Sequence, residues 1–119
     1  MSAADCTDPA GRLEAGAPGD AAEAAVMLHL SMRGRVQGVG FRDTLCEVAE
    51  HLGLDGWVRN RRDGTVEALI RGPSQAADAM VRWSRRGPPA ARVEHLDVRP
   101  ATGPESATLQ AGFRRLPTA

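Results

Sequence analysis

The chain has 119 residues, of which 42% are hydrophobic and 25% charged, and this size is enough for one domain with a modest core. Its formal net charge is zero at neutral pH, which gives no general reason to expect a nucleic-acid or membrane partner. The two cysteines, Cys6 and Cys46, are too few for a disulfide framework or a structural zinc site, so a reducing cytoplasm is the expected compartment. No apolar run approaches the ~20 residues that cross a bilayer.

Residues 1–25 differ in composition from the rest of the chain. They are rich in alanine, glycine, proline and acidic residues, and Leu13 is their only large aliphatic residue. Such a segment cannot bury enough apolar surface to offset the entropy lost on ordering. It also lacks the basic start and apolar core of a signal peptide. We therefore predict a disordered acidic tail over residues 1–25 and one folded domain over residues 26–119.

Five short stretches of the domain have the pattern of β-strands. In the first, every second residue from Val26 to Met32 is apolar and the residues between them are mostly polar, the period of a strand covered on one face. The Asp63-Gly64 pair between the second and third favours a hairpin turn. The segment 100–108, rich in proline, glycine and threonine, is predicted to be a loop. The predicted strands are residues 26–32, 56–60, 65–70, 93–98 and 112–116.

Two other segments have helical spacing. Apolar residues from Leu45 to Leu52 recur at i, i+3, i+4 and i+7, and Gly53 is a plausible stop. Pro73 opens a second helix, and the Gly87-Pro88-Pro89 run ends it. The order strand, helix, strand, strand, helix, strand predicts an α+β fold, the ferredoxin-like plait (βαββαβ), if both crossovers are right-handed. Both helices would then cover one face of an antiparallel sheet.

The link between the first strand and the first helix contains three glycines, Gly34, Gly38 and Gly40. A glycine-rich turn that opens onto a helix N-terminus can direct a run of main-chain N–H groups at an anion. Arg42 follows in the first turn of the helix, where its planar guanidinium could reach a phosphate. The spacing matches neither the GxxxxGK[ST] loop nor the dinucleotide GxGxxG motif. A tight turn that needs glycine for steric reasons alone is the other interpretation.

Asn60 stands at the end of the second predicted strand, just before the hairpin. An asparagine at this position commonly caps a turn with its side chain. In a functional interpretation its amide holds a water molecule. The second strand of a plait neighbours the entry to the first helix, so Asn60 could face the glycine loop.

These two segments carry a resemblance to a known family. The run Gly34-Arg35-Val36-Gln37-Gly38-Val39-Gly40-Phe41-Arg42 resembles the first signature of the acylphosphatase family. The run Gly56-Trp57-Val58-Arg59-Asn60, followed at the family's spacing by Gly64, Val66 and Gly72, resembles the second. The resemblance implies a ferredoxin-like domain that hydrolyses the carboxyl–phosphate bond of acyl phosphates without a metal or a cofactor.

The resemblance also assigns roles to residues. Arg42 would bind the phosphoryl group, and Asn60 would orient the attacking water. The substrate is then a small acyl phosphate, and inorganic phosphate is a product; we expect a cytoplasmic monomer with neither a nucleic-acid nor a membrane partner. The phosphoryl oxygens would be held by the backbone amides of Gln37, Gly38, Val39, Gly40, Phe41 and Arg42.

Other reactive side chains are expected to be structural. Cys46 lies among apolar helix residues, which is typical of core or boundary packing. The three histidines have no metal partner at useful spacing and are predicted to lie on the surface, and the arginines next to the hairpin are predicted to be solvated. These residues are His29, His51 and His95, and Arg59, Arg61 and Arg62.

Three other functions stay open at this point. The domain could bind phosphate or an acyl phosphate without useful turnover. It could bind nucleic acid, although aromatic residues make up only 3% of the chain and such plaits need exposed aromatics on their central strands. It could also be a fragment of a carbamoyl-phosphate-processing hydrogenase maturation protein, although the zinc-finger cysteines that follow in such proteins are not in this sequence.

Overall fold

The computed structural model describes residues 25–119. The predicted tail lies almost wholly outside these residues, so the boundary between tail and domain stays a prediction. The strands are β1 (Val26–Arg35), β2 (Asp55–Asn60), β3 (Val66–Gly72), β4 (Arg92–Pro100) and β5 (Phe113–Arg115). The helices are α1 (Phe41–His51), α2 (Ser74–Arg86) and the single-turn α3 (Gly103–Ser106).

The five strands form one sheet in the order β4-β1-β3-β2-β5. β1 lies between β3 and β4 and is antiparallel to both, and the hairpin joins β2 to β3 in the same antiparallel sense. This is the predicted ferredoxin-like plait. The last strand adds one difference, because β5 pairs with β2 in parallel. The sheet is therefore mixed, and its β2–β5 edge departs from the wholly antiparallel sheet that the sequence predicted.

One face of the sheet carries α1 and α2 and forms the core. Alternate residues of the central strands point to this face, among them Leu30, Val58 and Ile70, none of which is exposed to solvent. Leu45 of α1 and Met80 of α2 are likewise fully buried against them. The helical apolar spacing read from the sequence thus meets the strand alternation on one side of the sheet.

The opposite face is covered in part by residues 101–112, which we call the strap and which include α3. Trp57 points to this face and donates its Nε1–H to Thr108 Oγ1 at 2.9 Å. The backbone N–H of Gly112 donates to Asp55 Oδ1 at 2.8 Å, just before β5 begins. Because β4 lies at the far edge of the sheet, the chain crosses this face to reach the free edge of β2. The predicted loop is therefore a docked segment with a helical turn.

Candidate active site

The glycine loop, residues 36–40, connects β1 to α1 with an unusual backbone. Gly38 has φ 74° and Gly40 has φ 75°, in the left-handed region that favours glycine. A Cβ atom built on either residue would have no atom within 4 Å, so crowding by neighbours does not explain the glycines. The loop needs them for its backbone conformation, and it leaves open space on its outer side. Gly40 then serves as the N-cap of α1.

The start of α1 is held in place by aromatic packing. Phe41 is 2% exposed, and its ring meets the ring of Trp83 edge-on with centroids 5.5 Å apart. Gly87, at the end of α2, lies so close to the Phe41 ring that an added Cβ would be 2.6 Å from Cε2. Phe41 thus fixes the helix N-terminus against α2. The first free N–H groups of α1, which carry partial positive charge, are fixed with it.

Arg42 follows Phe41 in the first turn of α1 and is half-buried. Among residues 25–119, no carboxylate forms an ion pair with its guanidinium. The acidic residue of the same turn, Asp43, pairs instead with Arg115 of β5. The negative charge nearest the helix start is therefore partly compensated, and within residues 25–119 no ion pair neutralises the positive charge of Arg42.

Asn60 is the last residue of β2 and is half-buried. Side chains two residues apart on a strand share a face, so Asn60 projects to the same side as Val58. Val58 is fully buried beneath the helices, which puts Asn60 on the face of the sheet that carries α1. Its backbone carbonyl accepts a hydrogen bond from the N–H of Ala119 at 3.0 Å.

The side chain of Gln37 connects the glycine loop to the hairpin that follows Asn60. Its Nε2 donates to the carbonyl oxygens of Arg61 at 2.7 Å and of Thr65 at 2.9 Å. The structure thus brings together the glycine loop, the start of α1 and the end of β2. The sequence analysis predicted that Asn60 could face the glycine loop, but it gave Gln37 a role only through its backbone amide. A contact that spans 24 residues of chain leaves no local pattern from which to predict it.

A buried ionic cluster supports the same strand end from the opposite face. Glu67 of β3 accepts hydrogen bonds from His29 Nε2 at 2.7 Å, Arg59 Nε at 2.6 Å and Arg61 Nη1 at 3.2 Å. The predictions for His29 and Arg59 were therefore wrong, because His29 is 8% exposed and Arg59 is half-buried against the carboxylate. Arg61 also pairs with Glu67, but 43% of its side chain stays exposed, as predicted for a solvated residue. Burial acts to raise the pKa of Glu67, but the hydrogen bonds from His29 and Arg59 outweigh it and hold this pKa below its ordinary value.

The other predicted side chains have no part in this site. Cys46 is half-buried against the core, as predicted, and burial raises the pKa of its thiol, which disfavours the nucleophilic thiolate. His51 and His95 are exposed. Within residues 25–119, no three His, Cys, Asp or Glu side chains are grouped as metal ligands would be. No helix in that part of the chain has the length and apolar character to cross a bilayer.

Comparison with known proteins points to one family. The family model described as Acylphosphatase matches residues 28–114. An acylphosphatase of Rhodospirillum rubrum is 50% identical over 91 residues, which cover 76% of this chain and 96% of that protein. An acylphosphatase of Thiobacillus denitrificans is 53% identical over 76 residues, covering 64% and 85%. The crystal structure of acylphosphatase from Bacillus subtilis matches with a TM-score of 0.69 and 34% identity, covering 76% of this chain and 98% of that one.

Proposed function

This chain belongs to the acylphosphatase family, and we propose that it hydrolyses acyl phosphates by in-line attack of a water molecule on a phosphoryl group held by the glycine loop and Arg42. The products are a carboxylate and inorganic phosphate. The observation that supports this proposal best is the convergence of an open glycine loop, a helix N-terminus with an arginine, and the half-buried Asn60. In the proposed mechanism the first two features hold the phosphoryl group, and the amide of Asn60 holds the water beside it.

The proposed cradle acts by stabilising charge. The backbone amides of residues 37–42 and the guanidinium of Arg42 donate hydrogen bonds to the non-bridging phosphoryl oxygens. In a loose transition state most of the charge is spread over these oxygens, so fixed donors around them lower the barrier. The departing group is a carboxylate, which is a stable anion and needs little help from a general acid.

Asn60 has the proposed role of holding the nucleophile. Its side-chain oxygen accepts a hydrogen bond from the water, which leaves an oxygen lone pair directed at phosphorus. The water oxygen forms a bond to phosphorus while the bond from phosphorus to the acyl oxygen breaks, and the protons of the water end on phosphate or in solvent. A loose transition state asks little of a base, so positioning is the main requirement. No metal or cofactor is needed for these steps.

The test is hydrolysis of benzoyl phosphate in the presence of a chelator, followed by the loss of ultraviolet absorbance. We expect Arg42→Ala to reduce turnover ~10³-fold, as for other phosphate-binding arginines, and Asn60→Ala to reduce it ~10²-fold. Arg82→Ala, which removes an exposed arginine of α2, is the matched control and should keep wild-type turnover. Circular dichroism checks that each variant is folded.

Two outcomes would contradict the proposal. A folded Arg42→Ala variant with near-normal turnover would remove the role of that residue. A folded wild type that binds phosphate but does not hydrolyse benzoyl phosphate would favour the alternative, a phosphate-binding module without catalytic function. We further propose that the protein acts as a monomer, because the candidate site is built from one chain, and sedimentation at assay concentration tests this. The proposed compartment is the cytoplasm, as expected from the two cysteines of the sequence.

A further inference from the structure

We propose that the side chain of Gln37 is a positioning residue, which fixes Asn60 relative to the phosphate cradle. This inference rests on the proposed function and assigns to the side chain a role separate from that of the Gln37 backbone amide. The side chain leaves the glycine loop and ends on the hairpin, and Asn60 is the residue immediately before that hairpin. The Gln37 side chain thus directly links the glycine loop, which is proposed to bind phosphate, to the strand end that carries Asn60.

The chemistry of the contact fixes the orientation of the amide. Both partners of Gln37 are carbonyl oxygens, of Arg61 and Thr65, and such oxygens only accept hydrogen bonds. The NH₂ group must therefore face them, and its two hydrogens serve one oxygen each, at 2.7 and 2.9 Å. The contact is partly buried, where a hydrogen bond competes less with water.

The hairpin that receives this contact is itself rigidly held. Within it, the N–H of Arg61 donates to the Thr65 carbonyl at 2.8 Å, and the N–H of Gly64 donates to the Arg61 carbonyl at 3.1 Å. Asp63 Oδ1 accepts from both the N–H and the hydroxyl of Thr65, at 3.0 and 2.7 Å. Gln37 therefore binds a turn that is already held by its own hydrogen bonds. Because Asn60 directly precedes this turn, a contact that fixes the turn also fixes the backbone of Asn60.

Loss of this contact should affect attack on phosphorus more than phosphate binding. The proposed phosphate ligands all lie in residues 37–42, on the loop side of the contact, whereas the water ligand lies on the hairpin side. A misplacement of about 1 Å can cost ~10²-fold in rate when two reacting groups must be aligned. We therefore expect a selective fall in kcat, with inhibition by inorganic phosphate little changed.

The test uses Gln37→Met, which keeps the length of the side chain and removes both donors. We expect kcat for benzoyl phosphate to fall by ~10-fold or more, while the inhibition constant of inorganic phosphate stays within about twofold. Gln75→Met makes the same chemical change at an exposed position of α2 and should leave both constants unchanged. If Gln37→Met does not fold, Gln37→Asn, which keeps the amide but is one methylene too short to reach both carbonyls, replaces it.

A double-mutant cycle with Asn60→Ala separates positioning from a general structural effect. If Gln37 acts through Asn60, Gln37→Met should reduce kcat no further in the Asn60→Ala background. Full additivity, or a loss of phosphate inhibition parallel to the loss of kcat, would overturn the inference. An inactive wild type would instead contradict the proposed function. In that case amide hydrogen exchange decides, since unchanged exchange at Arg61 and Gly64 in Gln37→Met would show that the contact does not hold the hairpin.

Discussion

At the scale of single residues, strand alternation separates the charged groups near the site by role. Arg59 and Arg61 flank Asn60 in sequence, so their side chains leave the sheet on the face opposite to that of Asn60. There both meet Glu67, and Arg59 also lies over the Trp57 ring with its Cζ atom 4.7 Å from the centroid. These two arginines are thereby directed away from the glycine loop, which leaves the proposed phosphoryl-binding role to Arg42.

Removing the carboxylate of Glu67 should destabilise the fold. Glu67→Gln leaves His29 and two arginines around a neutral amide, and breaking a buried ion pair from one side costs on the order of 3 kcal/mol. Urea unfolding measures this change. Glu47→Gln, which alters an exposed glutamate of α1, is the matched control and should change stability by no more than about 0.5 kcal/mol. Equal stability of the two variants would show that the cluster contributes little.

The limits of sequence-based prediction are clear in the same cluster. The glycine loop, Arg42 and Asn60 could be proposed because each lies within a short contiguous pattern. His29 was predicted to lie on the surface because its partner, Glu67, is 38 residues away in sequence and next to it only after β1 pairs with β3. A residue's polarity predicts exposure well only when its partners are local in sequence.

At the scale of elements, the glycines of the two motifs are required for different reasons. Gly40 has φ 75° but open space where a Cβ would stand, whereas Gly56 in β2 has φ 144° and a Cβ there would lie 1.8 Å from the Leu69 carbonyl oxygen. The first is a conformational requirement of the loop. The second is a close approach between strands, which no side chain can enter without separating β2 from β3.

Substitution by alanine should separate these two effects. Gly40→Ala should fold with a loss of about 1–2 kcal/mol, the cost of a left-handed residue with a Cβ, and with reduced turnover because the loop amides shift. Gly56→Ala should fail to give a cooperative thermal transition, because backbone must move to relieve the clash. Thermal unfolding by circular dichroism tests both. A Gly56→Ala protein as stable as Gly40→Ala would contradict the distinction.

The elements themselves were predictable where the signals were local. Helical spacing, the Asp63-Gly64 turn and the Gly87-Pro88-Pro89 stop indicated α1, the β2–β3 hairpin and the end of α2. The course of the strap was not predictable, because it depends on docking. Within α3 the Thr102–Glu105 capping box is a local feature, but the direction of β5 depends on contacts of Trp57 and Asp55 with residues more than 50 positions away.

At the scale of the whole molecule, the strap ties the two edges of the sheet together. It leaves β4 with Glu105 accepting hydrogen bonds from both terminal nitrogens of Arg99, Nη1 at 2.9 Å and Nη2 at 2.7 Å. It reaches β5 with Asp55 held by the Gly112 N–H and by Arg71. Each end of the strap thus depends on an ionised carboxylate, and a third, Glu67, is buried in the sheet between them. The free energy of unfolding of the domain should therefore decrease at low pH.

The sign of that dependence follows from the pKa values. The hydrogen bonds from Arg99 lower the pKa of Glu105 from 4.5 to about 2, and the pKa values of Asp55 and Glu67 are also lowered. A carboxyl whose pKa is depressed by folding stabilises the native state above its unfolded pKa, and this contribution is lost as the pH falls towards the folded value.

The urea midpoint should therefore stay nearly constant from about pH 7 to pH 5 and fall between about pH 4.5 and pH 2. Glu105→Gln should show a shallower fall over that range, whereas Glu47→Gln should follow the wild type. A Glu105→Gln profile as steep as the wild-type profile would mean that the strap is not held by this ion pair.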